Sequence, residues 1–487
     1  MHNMYNMRHH LSAFWNRLAG STLCELSDLF ADKVPEPELE YLDVKPIVYR
    51  RDRIFTPWRT FWMFTGQILS ATQTCREALR KAQVWICLDN IKNEKKNKNK
   101  KKNKKNEKIS PRTPAYCKAR GRLNPEYLDN VNQKVIDKHQ SQVKTDHLWC
   151  GKDVKIVDGS SVSMPDTREN QKLYPQPSGQ KKGCGFPVMR IVVMFSLATG
   201  LMLACRKGSL KVSERILWHQ MWDAYQEGDV VLADRGFCSY ADYWLLSERK
   251  IDCVMRLHQA RKNNKLIKRF NKNDRLVEWE RGGASSRPKW LTKEQWNEIP
   301  QSMTVRLVNI NVDIPGFRTK NITVATTLLD NEKYPPQVIA DLYLQRWLCE
   351  LFIRDIKTTM RMNVLRCKTP EMIRKELTVF MIVYNLIRGL IWQAVLNKGI
   401  EPYRISFAGT IATIRQWAPI LAAIDGYKKK RLLDALMELL ATDVIPIREP
   451  RREPRAIKRR TNSNYQLLTK PRQKFIEIPH RHKYRKM

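Results

Sequence analysis

The period of the apolar positions changes near residue 148. Upstream, aromatics and aliphatics recur at helical spacing over 55–86 and again over 115–142, which predicts a helical N-terminal region. Downstream the apolar runs shorten to strand length. Residues 154–157 form one that ends at Asp158, and 187–197 with 200–205 read as a hairpin around Thr199-Gly200. An amphipathic helix over 213–225 carries Ile216, Leu217, Met221 and Trp222 on one side. A buried strand at 229–233 ends at Asp234, and a helix (240–249) and a strand (251–257) follow. Three adjacent strands, a helix, a fourth strand, a helix and a fifth strand is the order of a ribonuclease-H-like mixed α/β sheet. Residues 259–332 interrupt it with strand-like pieces, LVEWE, MTVRLVNINV and NITVATTLL, set between Gly, Pro and Asn turns.

Pro335 and Pro336 open the next helix. Within 341–361 (DLYLQRWLCELFIRDIKTTMR), five polar residues share one helical stripe. With Tyr343 at 0° and about 100° per residue, Arg346 falls at about −60°, Glu350 at about −20°, Arg354 at about +20° and Lys357 at about −40°. Leu342, Trp347, Leu348, Leu351, Phe352, Ile353 and Ile356 cover the remainder. A helix apolar on several sides is normally buried. A buried charged stripe is costly unless something offsets it. A carboxylate flanked by cations and a phenol suits a site that holds a metal ion and a nucleic-acid phosphate together.

Charge points the same way. The chain carries 88 Lys+Arg against 49 Asp+Glu, a net of +39, which predicts a polyanionic partner. Residues 92–108 hold ten lysines and two glutamates, and 448–487 hold fourteen Lys+Arg and three glutamates. Neither offers enough apolar surface to offset the cost of ordering. The first reads as a low-complexity insertion, whereas the tail, with its Pro, Tyr and His, is a candidate to touch nucleic acid.

The eleven cysteines lack any C-x-x-C pair, which argues for reduced thiols rather than a disulfide framework or zinc ribbon. His147 and Cys150 have no second pair, and His480 and His482 read as members of the basic tail. The N-terminus has no positive-then-apolar signal organisation. The apolar stretch 377–396 contains Asn385 and Arg388, so it reads as a core helix and no membrane partner is expected.

Asp158 and Asp234 each follow an apolar strand, and Glu350 lies on the polar stripe. In a mixed α/β sheet, strand ends and an adjacent helix converge on one edge, where ligands bind. Three hard oxygen ligands suit Mg²⁺, with Mn²⁺ as a substitute, better than zinc. Two such ions activate an attacking water or 3′-hydroxyl and stabilise the leaving oxygen. Taken singly, an Asp after a strand is usually a turn or cap residue, and Glu350 alone reads as an ion-pair partner of Arg346 or Arg354. The conjunction reverses that reading. Asp166, in SMPDT, is the rival to Asp158, but it follows Pro165 in a polar loop.

On these residues the chain resembles DDE transposases of bacterial insertion sequences, in the IS-four branch marked by Tyr-x2-Arg-x3-Glu-x6-Lys. The matching segments are DGSSVSMPDTRENQKLYPQPSGQKKGCGFPVMRIV, LADRGFCSY, RPKWLT and YLQRWLCELFIRDIK, with looser likeness at RIFTPWRTFWMFTGQILSATQTCREALRKA and AYCKARGRL. The resemblance implies a metal triad of Asp158, Asp234 and Glu350, with Tyr343, Arg346 and Lys357 holding phosphates. It implies cut-and-paste transposition between terminal inverted repeats and target DNA, by a homodimer in a synaptic complex, in a bacterial cytoplasm at the nucleoid. It also implies a DNA-hairpin intermediate, helped by a base flipped onto an aromatic, for which Trp279 and Trp290 are candidates. A catalytically retired DNA-binding derivative and a structure-specific nuclease of the same fold are the alternatives. The expected organisation is a helical DNA-binding region at 1–147, interrupted at 92–108. The catalytic domain takes 148–258 and 333–400, around a β-rich insertion at 259–332. C-terminal helices (401–447) and the tail (448–487) complete it.

Overall fold

The computed structural model describes residues 24–30, 33–34, 54–97, 108–259, 261, 264–311, 321–424, 426–446, 470–471 and 474. Most of the Lys/Asn-rich run, and nearly all of the basic tail including His480 and His482, lie outside the described residues.

The described strands are β1 (Val154–Ser163), β2 (Val188–Ser196), β3 (Met202–Ser209), β4 (Val230–Ala233), β5 (Asp252–Arg256), β6 (Lys265–Asn271), β7 (Asp274–Glu280), β8 (Ser302–Asn311) and β9 (Asn321–Thr326). They form one sheet in the order β3-β2-β1-β4-β5-β9-β8-β7-β6. β1, β2 and β3 are antiparallel neighbours, while β4 and β5 run parallel to β1. This half has the ribonuclease-H-like topology that the element order predicts. The strands of 259–332 join through β9, which pairs antiparallel with β5, so they lengthen the same sheet.

The described helices are α1 (Leu26–Phe30), α2 (Pro57–Leu69), α3 (Cys75–Asn97), α4 (Pro114–Arg122), α5 (Pro125–Gln140), α6 (Arg168–Leu173), α7 (Glu214–His219), α8 (Tyr240–Glu248), α9 (Lys293–Glu298), α10 (Pro336–Gln345), α11 (Trp347–Arg354), α12 (Pro370–Val395), α13 (Phe407–Ala423) and α14 (Gly426–Thr442). Two upstream helical stretches each divide in two. The 55–86 pattern breaks after Leu69, where Gln73 takes a positive φ and its side chain donates to the Ile68 and Met360 carbonyls. The 115–142 pattern breaks before Pro125, with Asn124 capping α5 through the Glu126 amide. The helix expected over 213–225 is only α7 plus a single turn.

Alternation along the strands gives the sheet two apolar faces. Ile156, Val193, Leu232 and Val254 enter the larger core, whereas Val157, Val192, Ala233 and Met255 enter the second. α12 runs through the larger core beside α2 and α5. It is long and apolar enough to cross a membrane, yet its most apolar window is 89% buried inside the protein. Its polar residues are matched: Asn385 accepts from the Met202 amide (2.8 Å) and donates to the Met202 carbonyl (3.0 Å), tying α12 to β3. Arg388 pairs with Asp355 and donates to the Tyr384 hydroxyl.

In the β6–β9 half, Arg306 and Asp274 are fully buried and paired through two hydrogen bonds of 2.8 and 2.7 Å. The remaining guanidinium nitrogen donates to the carbonyls of Leu328, Asp330 and Tyr334. Asp274→Ala strands a buried cation and is expected to cost about 3–5 kcal/mol of stability. Denaturant unfolding measures this, and an unchanged midpoint would refute the pair's role.

Candidate active site

β1 and β4 pair with Val157 opposite Ala233, so Asp158 and Asp234 stand side by side at the next position. Alternation turns both toward the larger core, the side that Ile156 and Leu232 face. One expectation needs correcting here. Asp158 does not end its strand; β1 continues to Ser163, paired with β2 from Asp158↔Val193 to Ser163↔Val188. The apolar run stops at Val157, level with Ala233, where β4 stops. Asp158 lies where the sheet loses a strand on one side.

The polar-stripe helix packs against β1 here. It is less regular than one continuous helix, because it breaks at Arg346 between α10 and α11 and widens into a π turn over Asp355–Thr359. Leu348, Cys349, Phe352 and Ile356 anchor it in the larger core. Tyr343, Arg346 and Glu350 keep their common side. Lys357 reaches the site from the π turn, where its amine donates to the Ser160 hydroxyl at 2.9 Å. Ser160 is two residues beyond Asp158 and so faces the same way. π turns of this kind recur at functional sites.

Arg346 is the hub. Its guanidinium lies 3.6 Å from Asp158 and 3.1 Å from Glu350. Burial raises the Asp158 carboxyl to about 6; the Gly159 amide and Arg346 oppose the rise, while the charges of Asp234 and Glu350 add to it. Burial also lifts the Tyr343 phenol to about 12, with Arg346 opposing and Asp234 adding. Tyr343 therefore stays protonated and can donate a hydrogen bond. Desolvation lowers the Lys357 amine.

Among the described residues, no three His, Cys, Asp or Glu side chains stand close enough together to hold a metal ion as they are placed. The donor chemistry nonetheless fits a hard divalent cation. The charges of Asp234 and Glu350 add to the cost of ionising Asp158, and the guanidinium of Arg346 supplies the positive charge between Asp158 and Glu350. Asp166 is not part of this group. Its carboxylate accepts from Gln171 (2.8 Å), and it lines a cleft of about 1010 Å³ with Arg168, Gln176 and Lys181.

The aromatic candidates also change. Trp279 is fully buried, packed on Tyr243 (ring centroids 5.0 Å apart) with the Arg261 guanidinium over it, so it has no face for a base. A strand pairing on both sides buries every second residue, and the sequence did not mark which. Trp290 is half-buried against His219 (4.1 Å) and Trp222.

Residues 149–386 match the family described as the transposase DDE domain. The chain belongs to the DDE transposases. It is 26% identical over 354 residues to the transposase InsG for insertion sequence element IS4 of Escherichia coli (strain K12), covering 71% of this chain and 76% of that protein. It is also 26% identical over 140 residues to the putative transposase InsZ of the same organism, covering 28% of this chain and 46% of that one. A solved piggyBac transposase synaptic complex with hairpin DNA aligns over 87% of the chain, at 9% identity and a TM-score of 0.38. The DDE family implies use of a divalent metal.

Two residues of the transposase escaped the sequence reading. Ser160, the partner of Lys357, had no signal beyond its place two after Asp158. Trp347 had one: on the helical projection it falls at about +40°, beside the polar stripe. It is 46% exposed next to Arg346, where a core role would have buried it.

Proposed function

We propose that this transposase binds the terminal inverted repeats of its element, cuts the element free and joins it to target DNA. The observation that most supports this is Asp158 and Asp234 side by side on β1 and after β4, with Arg346 between Asp158 and Glu350 and Lys357 delivered to Ser160 on the same strand face. Divalent ions held by the three carboxylates, Mg²⁺ or Mn²⁺ and two in number, would activate the attacking water or 3′-hydroxyl and stabilise the leaving oxygen. The chain's own side chains do the rest. Arg346 offers a planar fork for phosphate oxygens, Lys357 a point charge, and Tyr343 a neutral donor. A DNA hairpin at the cut end would place a strained backbone under these three groups.

The deciding experiment supplies Mg²⁺ and duplex carrying the sequences that flank the reading frame. Joined products support transposition. Cleavage without joining would indicate a nuclease, and binding alone a retired enzyme.

With Trp279 buried, Trp347 joins Trp290 as a candidate for base stacking. Stacking on an aromatic contributes about 1–3 kcal/mol per base, comparable with the cost of extruding one. Trp347→Ala is therefore expected to lower hairpin yield by about 5- to 100-fold, at about 1.4 kcal/mol per tenfold, and Trp347→Phe to restore most of it. Equal hairpin yields from wild type and Trp347→Ala on labelled end DNA would remove Trp347 from this role.

A further inference from the structure

Cys75, the first residue of α3, and Cys117, on α4, meet across the seam between the two helices. Their sulfurs are 3.9 Å apart, with the Cys117 thiol donating to Cys75. Both are half-buried, so a small oxidant reaches them, whereas Cys184, Cys238, Cys253, Cys349 and Cys367 are buried.

Neighbouring side chains fix the pair. Gln67, on α2, serves both helices. Its amide donates to the Cys75 sulfur (3.7 Å) and the Gln73 carbonyl (3.0 Å), and its oxygen accepts from the hydroxyl of Tyr116 (2.9 Å), the residue before Cys117. Arg120, one helical turn beyond Cys117, donates to the Cys117 sulfur at 3.8 Å. Its guanidinium is buried against the Phe64 and Tyr116 rings, 4.8 and 5.3 Å from their centroids, so the donor is held in place. Burial pushes the Cys75 thiol up, with the Arg120 charge opposing. Cys75 is therefore a neutral thiol at rest, and Cys117, with a guanidinium on its sulfur, is the better placed to attack first. A disulfide holds its sulfurs about 2.05 Å apart, so side-chain rotation has to close less than about 2 Å.

The seam also adjoins the support of the carboxylate site. Just before Cys75, the Ala71 and Thr72 carbonyls accept from Arg361 (2.5 Å) and Arg366 (2.6 Å), and Gln73 donates to the Met360 carbonyl (2.7 Å). The Met360 amide in turn closes the π turn that carries Lys357, on the Asp355 carbonyl. A bond at Cys75 stiffens the segment against which that turn rests.

We propose that Cys75 and Cys117 form a reversible disulfide when the protein meets a hydroperoxide. The Cys117 sulfur attacks a peroxide oxygen; the S–O bond forms, the O–O bond breaks, and the departing hydroxide leaves with the thiol proton as water. The sulfur, oxidised by two electrons, is then a sulfenic acid. The Cys75 sulfur attacks it, the S–S bond forms and the S–O bond breaks, and the hydroxyl leaves with the Cys75 proton as a second water. A dithiol reductant restores both thiols. This site is independent of the catalytic reading.

The test exposes reduced full-length protein to hydrogen peroxide, blocks the remaining thiols and maps tryptic peptides by mass spectrometry. Peptides 60–76 and 113–118 are expected to appear joined, with the loss of two thiols, and to separate in dithiothreitol. Proximity in the fold should make this cross-link form about tenfold faster or more than in urea. Cys75→Ser is expected to leave a sulfenic acid on Cys117 that dimedone captures, and Cys117→Ser to abolish cross-link and adduct alike; melting curves verify that both variants fold. Equal cross-linking rates in the folded protein and in urea, or oxidation confined to the exposed Cys87 and Cys150, would overturn the proposal.

Discussion

Asp158→Ala, Asp234→Ala and Glu350→Ala are each expected to stop cleavage of end DNA while leaving its binding nearly intact. The carboxylates are the only oxygen donors of the site with full negative charge. Losing one would loosen the divalent ion, which would supply several kcal/mol of charge stabilisation at the reacting phosphate, on the order of 10³-fold or more in rate at 1.36 kcal/mol per tenfold. Binding should be spared because basic side chains neutralise the phosphates, and removing an acid does not weaken them. Asn and Gln replacements keep the volume and test charge alone. Glu350 is the most informative of the three. Its side chain is 41% accessible against 24% for Asp158, and its ion-pair partner is Arg346. If Glu350→Gln cleaved at the wild-type rate with Mg²⁺, Glu350 would be an ion-pair partner of Arg346 and nothing more.

The fold and the site were legible to different depths. Strand order could be read because β1, β2, β4 and β5 are buried on both faces, and such strands are continuous apolar runs with clear ends. The side-by-side placement of Asp158 and Asp234 follows from the parallel register of β1 and β4, which the two runs VKIVD and DVVLAD leave visible. The point at which β1 ends did not follow. DGSSVS has no apolar pattern, and its pairing is fixed by β2 across from it. Tyr343, Arg346 and Glu350 keep the common side that the helical projection gives them, since one break at Arg346 with nearly helical dihedrals (φ −50°, ψ −31°) disturbs the projection little. The same projection put Lys357 on the stripe, and the structure brings it to Ser160 through a π turn that a uniform 100° step does not describe. There Asp355 is drawn to Arg388 on α12, and no residue of the turn itself encodes it. The burial of Trp279 was likewise decided by β6 and β8 on either side of it.

Arg346→Ala and Lys357→Ala are expected to separate the first nick from the steps that follow. Both residues meet the site through neutral or acidic partners, Arg346 with Asp158 and Glu350 and Lys357 with Ser160. Their forks and amine are cationic, so they have no part in holding a metal. The first cut needs an activated water and one phosphate in place. On the proposed hairpin route, forming and reopening the hairpin would need the displaced backbone clamped as well, and that is positioning and charge-assisted hydrogen bonding. Each variant should still bind Mn²⁺ and nick end DNA slowly, while double-strand breaks and joined products fall by about 10²-fold or more, the cost of a misplaced reacting group. Lys357→Arg should recover part of the loss, because it keeps the charge while changing its shape. The lowered pKa of Lys357 adds a pH signature with a definite sign. Burial makes the amine give up its proton earlier than an exposed lysine does, so conversion of nicked to fully cleaved DNA should fall on raising the pH before nicking does. A time course on labelled end DNA measures both products. If nicked and fully cleaved species declined in proportion, in the variants or with pH, the clamp would have no separate step to serve.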